Sequence, residues 1–211
     1  MKMKKTIKAV GCIQSVKRLP FYLRLFTIFA QAGRQSASSV FISAESGLQP
    51  ILIKKDLKMV RAPGKTGLGY NVKGTIRAIE TFLGWHNKDV FLIGCGKMGS
   101  ALLGYEGFKR HNFNIVAAFD SNPEVIGTVQ SGLTVLPIER LSTLVQRLKI
   151  CIAIITVPAS AAQGVADTLV ASGVKAIWNF APVDLKVPQG VIVQQEDLSV
   201  SAALLSSKLK K

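Results

Sequence analysis

Val90-Phe91-Leu92-Ile93-Gly94-Cys95-Gly96-Lys97-Met98-Gly99 joins an apolar, strand-forming run to a G-x-G-x-x-G turn, and a helix-length segment continues from Met98 to Phe108. In such a strand-turn-helix the glycines have separate tasks. Gly94 lets the chain turn sharply off the strand, Gly96 lets backbone N–H groups approach a pyrophosphate, and Gly99 lets the helix pack closely on the sheet. The phosphates then sit at the helix's positive N-terminal end. Alone the motif is weak, because glycines turn many corners. Here Ile115 to Phe119 reads as a second strand, and Asp120 ends it about 20 residues beyond the loop, where a carboxylate accepts hydrogen bonds from adenosine ribose hydroxyls. That carboxylate repels a 2′-phosphate, which favours NAD(H) over NADP(H). A plain glycine turn with a helix-capping aspartate accounts for fewer of these features. Cys95 stands near a helix N-terminus able to stabilise a thiolate, but a small buried filler is the simpler reading.

Outward from this motif, short apolar runs alternate with helix-length segments. Cys151 to Thr156 and Val174 to Trp178 read as buried parallel strands, with weaker strands at Thr134 to Leu136 and Val191 to Val193. Ile138 to Leu148 and Ala159 to Ala171 read as crossover helices. The fold class is therefore an α/β Rossmann-like doubly wound parallel sheet. Ligands of open sheets bind at the carboxyl ends of strands, so Thr156-Val157-Pro158 and Asn179-Phe180-Ala181-Pro182 are candidate walls on the nicotinamide side. A dehydrogenase also needs a placed acid or base. His86 falls in an interdomain joint, His111 before the second strand and Tyr105 on the first crossover helix, all poor positions for that work. Fewer than 90 residues remain for a substrate domain. No catalytic residue is assigned, and the reading is that the chain is not an enzyme. Cys12, Cys95 and Cys151 have neither a disulfide-framework nor a metal-ligand spacing, which fits a reducing cytosol and no metal.

The other half of the chain has a different character. The formal net charge is +15, yet 16 of the 27 bases and only three of the 12 acids lie at or before Lys88. Such asymmetry points to a polyanion, with nucleic acid the leading candidate. Residues 1–15 read as a basic extension whose apolar run, Ala9 to Ile13, is too short for an export signal. The stretch from Phe21 to Ala32 carries Arg24 and is too short to span a bilayer. Between Val16 and Gln31, Leu19, Tyr22, Leu23, Phe26 and Phe29 recur at helical spacing. Ser38 and Ser39 can cap a short helix ended near Gly47, Pro50 can open a third helix to about Val60, Ala62 to Gly69 reads as a glycine-rich hairpin, and Val72 to Leu83 is again helical. Three helices and a hairpin wing make an N-terminal winged helix-turn-helix domain. The expected division is 1–15 extension, 16–86 winged helix, 87–195 Rossmann domain and 196–211 C-terminal amphipathic helix, the last presenting Leu198, Ala202, Leu205 and Leu209.

Several stretches together resemble one family, the Rex redox-sensing transcriptional repressors. They are Arg18-Leu19-Pro20-x-Tyr22-Leu23-Arg24, Lys54-Lys55-Asp56-Leu57, Gly67-x-Gly69-Tyr70-x-Val72, Gly94 to Gly99, Ala117-x-Phe119-Asp120, Thr156-Val157-Pro158 and Asn179-Phe180-Ala181-Pro182-Val183. The resemblance implies a cytoplasmic homodimer whose winged helix binds double-stranded operator DNA and whose Rossmann domain senses the NADH to NAD+ ratio, NADH driving release. It implies DNA contacts from Arg18, Ser39, Lys54, Lys55, Lys58 and Lys65. It also implies a final helix exchanged between subunits, an inter-subunit pairing of Arg24 with Asp197, and a redox-responsive Tyr105 near the nicotinamide. The cofactor set is then Gly94, Cys95, Gly96, Lys97, Met98, Gly99, Tyr105, Asp120, Thr156, Val157, Pro158, Asn179, Phe180 and Ala181. The chain departs from the family pattern after Lys-Asp-Leu, where Lys58-Met59-Val60-Arg61 replaces Ser, two aromatics and Gly. It departs again in the wing, where Thr66 precedes Gly67, and at Leu198, where the family often has an aromatic. Two alternatives stand beside this reading: an NAD- or CoA-binding enzyme, since the domain also resembles the CoA-binding domain of succinyl-CoA synthetase alpha subunits, and a non-sensing chromosome-binding protein with a structural dinucleotide.

Overall fold

The computed structural model describes residues 13–84, 88–109 and 113–209. Cys12, His86, His111 and most of the N-terminal extension lie outside these residues. The described chain forms two compact units that divide at the joint after residue 86.

The first unit opens with α1 (Ile13–Gln31), which begins three residues earlier than its apolar periodicity indicates, so residues 13–15 belong to the helix rather than the extension. Its buried face carries Leu19, Tyr22, Phe26 and Phe29, with Phe26 and Phe29 edge to face at 5.6 Å. β1 (Ser36–Ala37) follows, then α2 (Ser39–Ser46), where the Ser38 hydroxyl accepts from the Phe41 amide at 3.1 Å. Next come α3 (Pro50–Met59), with proline at its start, and the hairpin of β2 (Gly64–Lys65) and β3 (Gly69–Asn71). β1 adds to β3, a pairing too short to leave a sequence signal. The Asn71 side chain accepts from the Gly74 amide at 2.7 Å and starts α4 (Val72–Leu83), which packs on α1. Inside this unit Arg18 reaches from α1 to Asp56 on α3: Nε and Nη2 donate at 2.7 and 2.9 Å, and the Tyr22 hydroxyl donates to the same carboxylate at 3.0 Å. The clasp fixes the register of α3 against α1.

The second unit is built on seven strands in the order β10 (Ile192–Gln195), β9 (Ala176–Asn179), β8 (Ile152–Ile155), β4 (Lys88–Ile93), β5 (Phe113–Asp120), β7 (Leu133–Pro137), β6 (Val129–Gln130). All neighbours are parallel except β6 with β7. The six parallel strands thus reverse direction of winding between β4 and β8, the switch point of a doubly wound sheet. Along β4, Phe91 and Ile93 pack with α7 (Leu141–Leu148) and α8 (Ala159–Ala171) on one face. Val90 and Leu92 pack with α5 (Lys97–Leu103) on the other. Both faces are covered, so the strand is apolar throughout rather than alternating.

Three details differ from the sequence reading. The first crossover helix is not continuous to Phe108: it ends at Gly104, and a short α6 (Glu106–Lys109) follows Tyr105. The second is preceded by a 3-10 turn, Ile138–Arg140. The strand expected at Thr134 to Leu136 is β7, but its antiparallel partner β6 was not expected: the two join through a turn in which Ser131 and Gly132 have positive φ, and β6 is too short to show alternation. α9 (Leu198–Leu209) forms as expected, with Asp197 capping it by accepting from the Ser199 amide at 2.8 Å, and every residue of this helix is exposed. No described helix is long and apolar enough to cross a membrane.

Candidate functional site

The turn after β4 is held from both sides. Gly94 has φ +96°, and a Cβ there would meet the Thr156 backbone at 2.8 Å, so only glycine fits on both counts. Its amide donates to the Phe119 carbonyl at 2.8 Å, and the Thr156 hydroxyl donates to the Gly94 carbonyl at 2.6 Å. Asp120, at the carboxyl end of β5, accepts from the Cys95 amide at 2.6 Å with one oxygen and from the Asn122 amide at 2.8 Å with the other. Asp120 therefore clasps the glycine turn itself. An ionised carboxylate has about four acceptor positions, so room remains for sugar hydroxyls. Gln130, from the unforeseen hairpin, donates to the Cys95 carbonyl at 3.4 Å and braces the loop from below.

These groups border a cleft of about 590 Å³ at the switch point, lined by Gly94, Gly96, Asp120, Thr156, Val157 and Pro158 among the expected residues. A Cβ at Gly96 would meet nothing within 4 Å, so the backbone is open to the cleft there. The first α5 amide to donate back within the turn is that of Ser100, to Gly96 at 2.9 Å, which leaves the amides before it without an intrahelical acceptor. The donor set, the volume and the open glycine suit a dinucleotide.

Other expected members are not among the residues that line the cleft. Lys97 and Met98 are exposed beside the cleft, and Gly99 is buried under it. Cys95 is 3% exposed, its Sγ 3.5 Å from the Phe119 carbonyl, and burial together with the Asp120 charge pushes its thiol up to about 12. It is a filler, with no thiolate at neutral pH. Asn179 and Ala181 are buried and do not line the cleft. The Asn179 amide donates to the Val183 carbonyl at 2.8 Å and to Gln195 Oε1 at 2.7 Å, so it shapes its own loop. Phe180 packs tilted at 45° against Trp178 at 5.1 Å, and Trp178 meets Phe108 edge-on at 5.7 Å. Tyr105 packs edge-on against Phe108 at 5.0 Å and is otherwise exposed, outside the cleft lining. Sequence reasoning missed Ser121, Asn122, Val125, Ile138, Ala161 and Val165, which complete the cleft wall. Ser121, Asn122 and Ile138 lie just beyond strand ends and Ala161 at the start of a crossover helix, whereas Val125 and Val165 stand farther along their connections.

The first unit carries a basic groove of about 860 Å³, to which Ser39, Lys54, Lys58, Arg61, Lys65 and Tyr70 contribute. Lys55 is exposed on the same helix. The Arg18 guanidinium pairs with buried Asp56 through Nε and Nη2, while 24% of its side chain stays exposed. Arg61, at φ +55° after α3, takes a place in the groove that the sequence reading had not assigned. Arg24 and Asp197 are both exposed, on separate units. Among the described residues no group of His, Cys, Asp and Glu is placed to hold a metal ion. Lys55→Ala is expected to weaken binding of a DNA duplex and to lower the slope of log affinity against log salt by about 1, leaving NADH affinity unchanged. Electrophoretic titration at several salt concentrations measures it, and equal loss of both ligands would point to misfolding instead.

Comparison with known proteins places both units. Residues 86–183 match the family model described as "CoA binding domain", and residues 13–58 match "Putative DNA-binding protein N-terminus". The redox-sensing transcriptional repressor Rex of Treponema denticola is 46% identical over 93% of this chain and 94% of its own length. The chain belongs to the Rex family. The Rex proteins of Syntrophomonas wolfei and Porphyromonas gingivalis are 40% and 37% identical over 91% and 93% of the chain, covering 92% and 90% of themselves. Among solved structures, RSP, a Rex-family repressor, in complex with NAD+ and operator DNA has a TM-score of 0.88 at 34% identity, covering 94% of this chain and 92% of that one. RSP with NADH has a TM-score of 0.81 at the same identity, covering 94% and 93%. Rex proteins are repressors, so this chain is a regulator and the reading as an NAD- or CoA-binding enzyme is set aside. The match to a CoA binding domain falls on the doubly wound unit.

Proposed function

We propose that this chain is a transcriptional repressor that binds operator DNA through α3 and the β2–β3 wing and leaves it when NADH occupies the cleft between β4 and β8. One observation carries the reading: a glycine turn clasped by Asp120 and Thr156 stands at the switch point of one unit, while the other unit of the same chain presents a lysine-faced helix beside a basic groove. In this reading the backbone from Gly94 to Gly99 holds the pyrophosphate, Asp120 the adenosine ribose, and Thr156, Val157 and Pro158 the side toward the nicotinamide. Asn179, Phe180, Ala181 and Tyr105 act on that side indirectly, through the loop and aromatic packing they form. Lys54, Lys55, Lys58 and Lys65, with Ser39, neutralise phosphates or read base edges.

A homodimer with twofold symmetry sets two such helices in successive major grooves of a pseudo-palindrome, as a cytoplasmic protein acting on DNA. α9, exposed along its whole length with Leu198, Leu204, Leu205 and Leu209 uncovered, supplies the apolar surface for exchange between subunits. Arg24 and Asp197 pair across that dimer. Only a difference in affinity between two arrangements can switch the protein, so NADH must favour the DNA-incompetent one by more than NAD+ does. Fluorescence anisotropy on a labelled palindromic duplex tests this, titrating each coenzyme in turn. NADH is expected to raise the duplex dissociation constant at least about tenfold over NAD+, which corresponds to a coupling of about 1.4 kcal/mol. Identical titrations with the two forms would remove redox sensing and leave a DNA-binding protein that holds its dinucleotide structurally.

A further inference from the structure

The face that α3 turns to solvent consists of Ile51, Lys54, Lys55 and Lys58, at i, i+3, i+4 and i+7, while Ile53, Asp56 and Leu57 are buried on the opposite face. Three of these four residues are cations. The fourth is a branched hydrocarbon 75% exposed to water. Core packing does not explain Ile51, because its side chain is outside the core. Helix propensity does not explain it either, because isoleucine is a middling helix former and the helix already starts on Pro50. The Gln49 side chain makes no capping bond, so the first turn of α3 ends in an apolar tip at the head of a lysine stripe.

The lysines define the chemistry of whatever approaches: a polyanion. When a helix enters the major groove of DNA, its N-terminal residues meet base edges, and residues along its flank meet phosphates. The floor of that groove offers donors, acceptors and one hydrocarbon group, the C5 methyl of thymine. RNA offers neither, since uracil lacks the methyl and the A-form major groove does not admit a helix.

We propose that Ile51 is a specificity-determining residue that reads a thymine methyl group in each half-site of the operator. Its place at the tip of the Lys54, Lys55 and Lys58 face sets it against the base edge while the lysines engage the strands beside it. The proposal rests on the assignment of α3 as the recognition helix, and its test separates the two.

The test uses the full-length protein with NAD+. A library of duplexes with a randomised centre is selected by binding, and the enriched duplex is resynthesised with deoxyuridine replacing one thymine at a time. Deoxyuridine keeps the base pair and the O4 acceptor and lacks only the methyl. At one thymine per half-site the wild type should bind the deoxyuridine duplex about fourfold more weakly, the effect of uncovering one buried methyl. Ile51→Ala should bind both duplexes equally while keeping the melting temperature of the wild type, and Ile51→Val should retain most of the discrimination. The proposal is overturned if the wild type is indifferent to deoxyuridine at every position, or if Ile51→Ala discriminates as well as the wild type. In those cases selective duplex binding still supports α3 as the recognition helix. Failure to enrich any sequence, together with unaltered duplex binding by Lys55→Ala, overturns the assignment of α3 and the role of Ile51 with it.

Discussion

Gly96→Val is expected to weaken NADH binding at least about a hundredfold, a change of about 2.7 kcal/mol, while leaving the melting temperature within about 3 °C of the wild type. Gly96 has φ −69° and ψ −166°, extended backbone that valine adopts freely, and a Cβ there meets no protein atom within 4 Å. The cost to the fold is confined to the helix N-cap, where a branched apolar residue is less favourable than glycine by up to about 1 kcal/mol. The open space the new side chain takes is the space through which phosphates reach the amides of the turn. Each charge-assisted hydrogen bond lost there is worth roughly 1.5–3 kcal/mol. Gly99→Ala is the informative contrast. A Cβ at Gly99 would run into the Gly94 carbonyl oxygen, so α5 must separate from β4, and overpacking against rigid backbone costs roughly 1–3 kcal/mol or more of stability. Calorimetric titration with NADH and thermal unfolding of both variants distinguish them. If Gly96→Val binds NADH within about threefold of the wild type, the phosphates lie elsewhere and the assignment of this turn is wrong.

Asp56→Ala is the second large effect, and it falls on the other unit. Asp56 is fully buried and takes hydrogen bonds from Arg18 and from Tyr22, itself fully buried. Burial alone would raise the Asp56 carboxyl, but the hydrogen bonds from Arg18, Ser15 and Tyr22 outweigh it and hold the group below the usual carboxylate range. The Tyr22 hydroxyl is pushed above the tyrosine range, first by burial and then by Asp56. Removing one partner of a buried pair costs about 3–5 kcal/mol. Arg18 keeps 24% of its side chain exposed and can recover part of its hydration, which brings the expected loss to about 2–4 kcal/mol. Native-state hydrogen exchange should show that loss in the amides of α1 and α3 and not in β4 or β8. Unchanged protection in α1 and α3 would mean that the clasp contributes no net stability.

The same pair predicts a pH dependence. Because the folded-state value of Asp56 is depressed, its contribution is complete above the unfolded carboxyl value of about 3.9 and is lost as pH falls through the lower folded value. Acid should therefore weaken the wild-type first unit more steeply than it weakens Asp56→Ala.

Much of the cofactor site was legible in residue order because its requirements are local. A turn that carries no side chain at Gly94 and Gly96, a strand before it, a helix after it and Asp120 at the next strand's end are statements about dihedral angles and spacing, and sequence records both. The charge division between the halves, the capping residue Ser38, the proline opening α3 and the apolar faces of α1 and α4 are of the same kind. Only the tertiary structure decided the rest. The pairing of Arg18 with Asp56, 38 residues away, has no local pattern in the sequence. The Asn179 amide donates to Val183 and Gln195, partners set by how the chain folds after β9. The cleft wall from Val125 to Val165 draws on several crossovers, and Gln130 reaches the loop only through a hairpin with no periodic pattern. Sequence specifies conformations that each residue and its near neighbours impose, whereas which distant polar group finds which partner depends on how the strands are ordered, and that order is a property of the folded sheet.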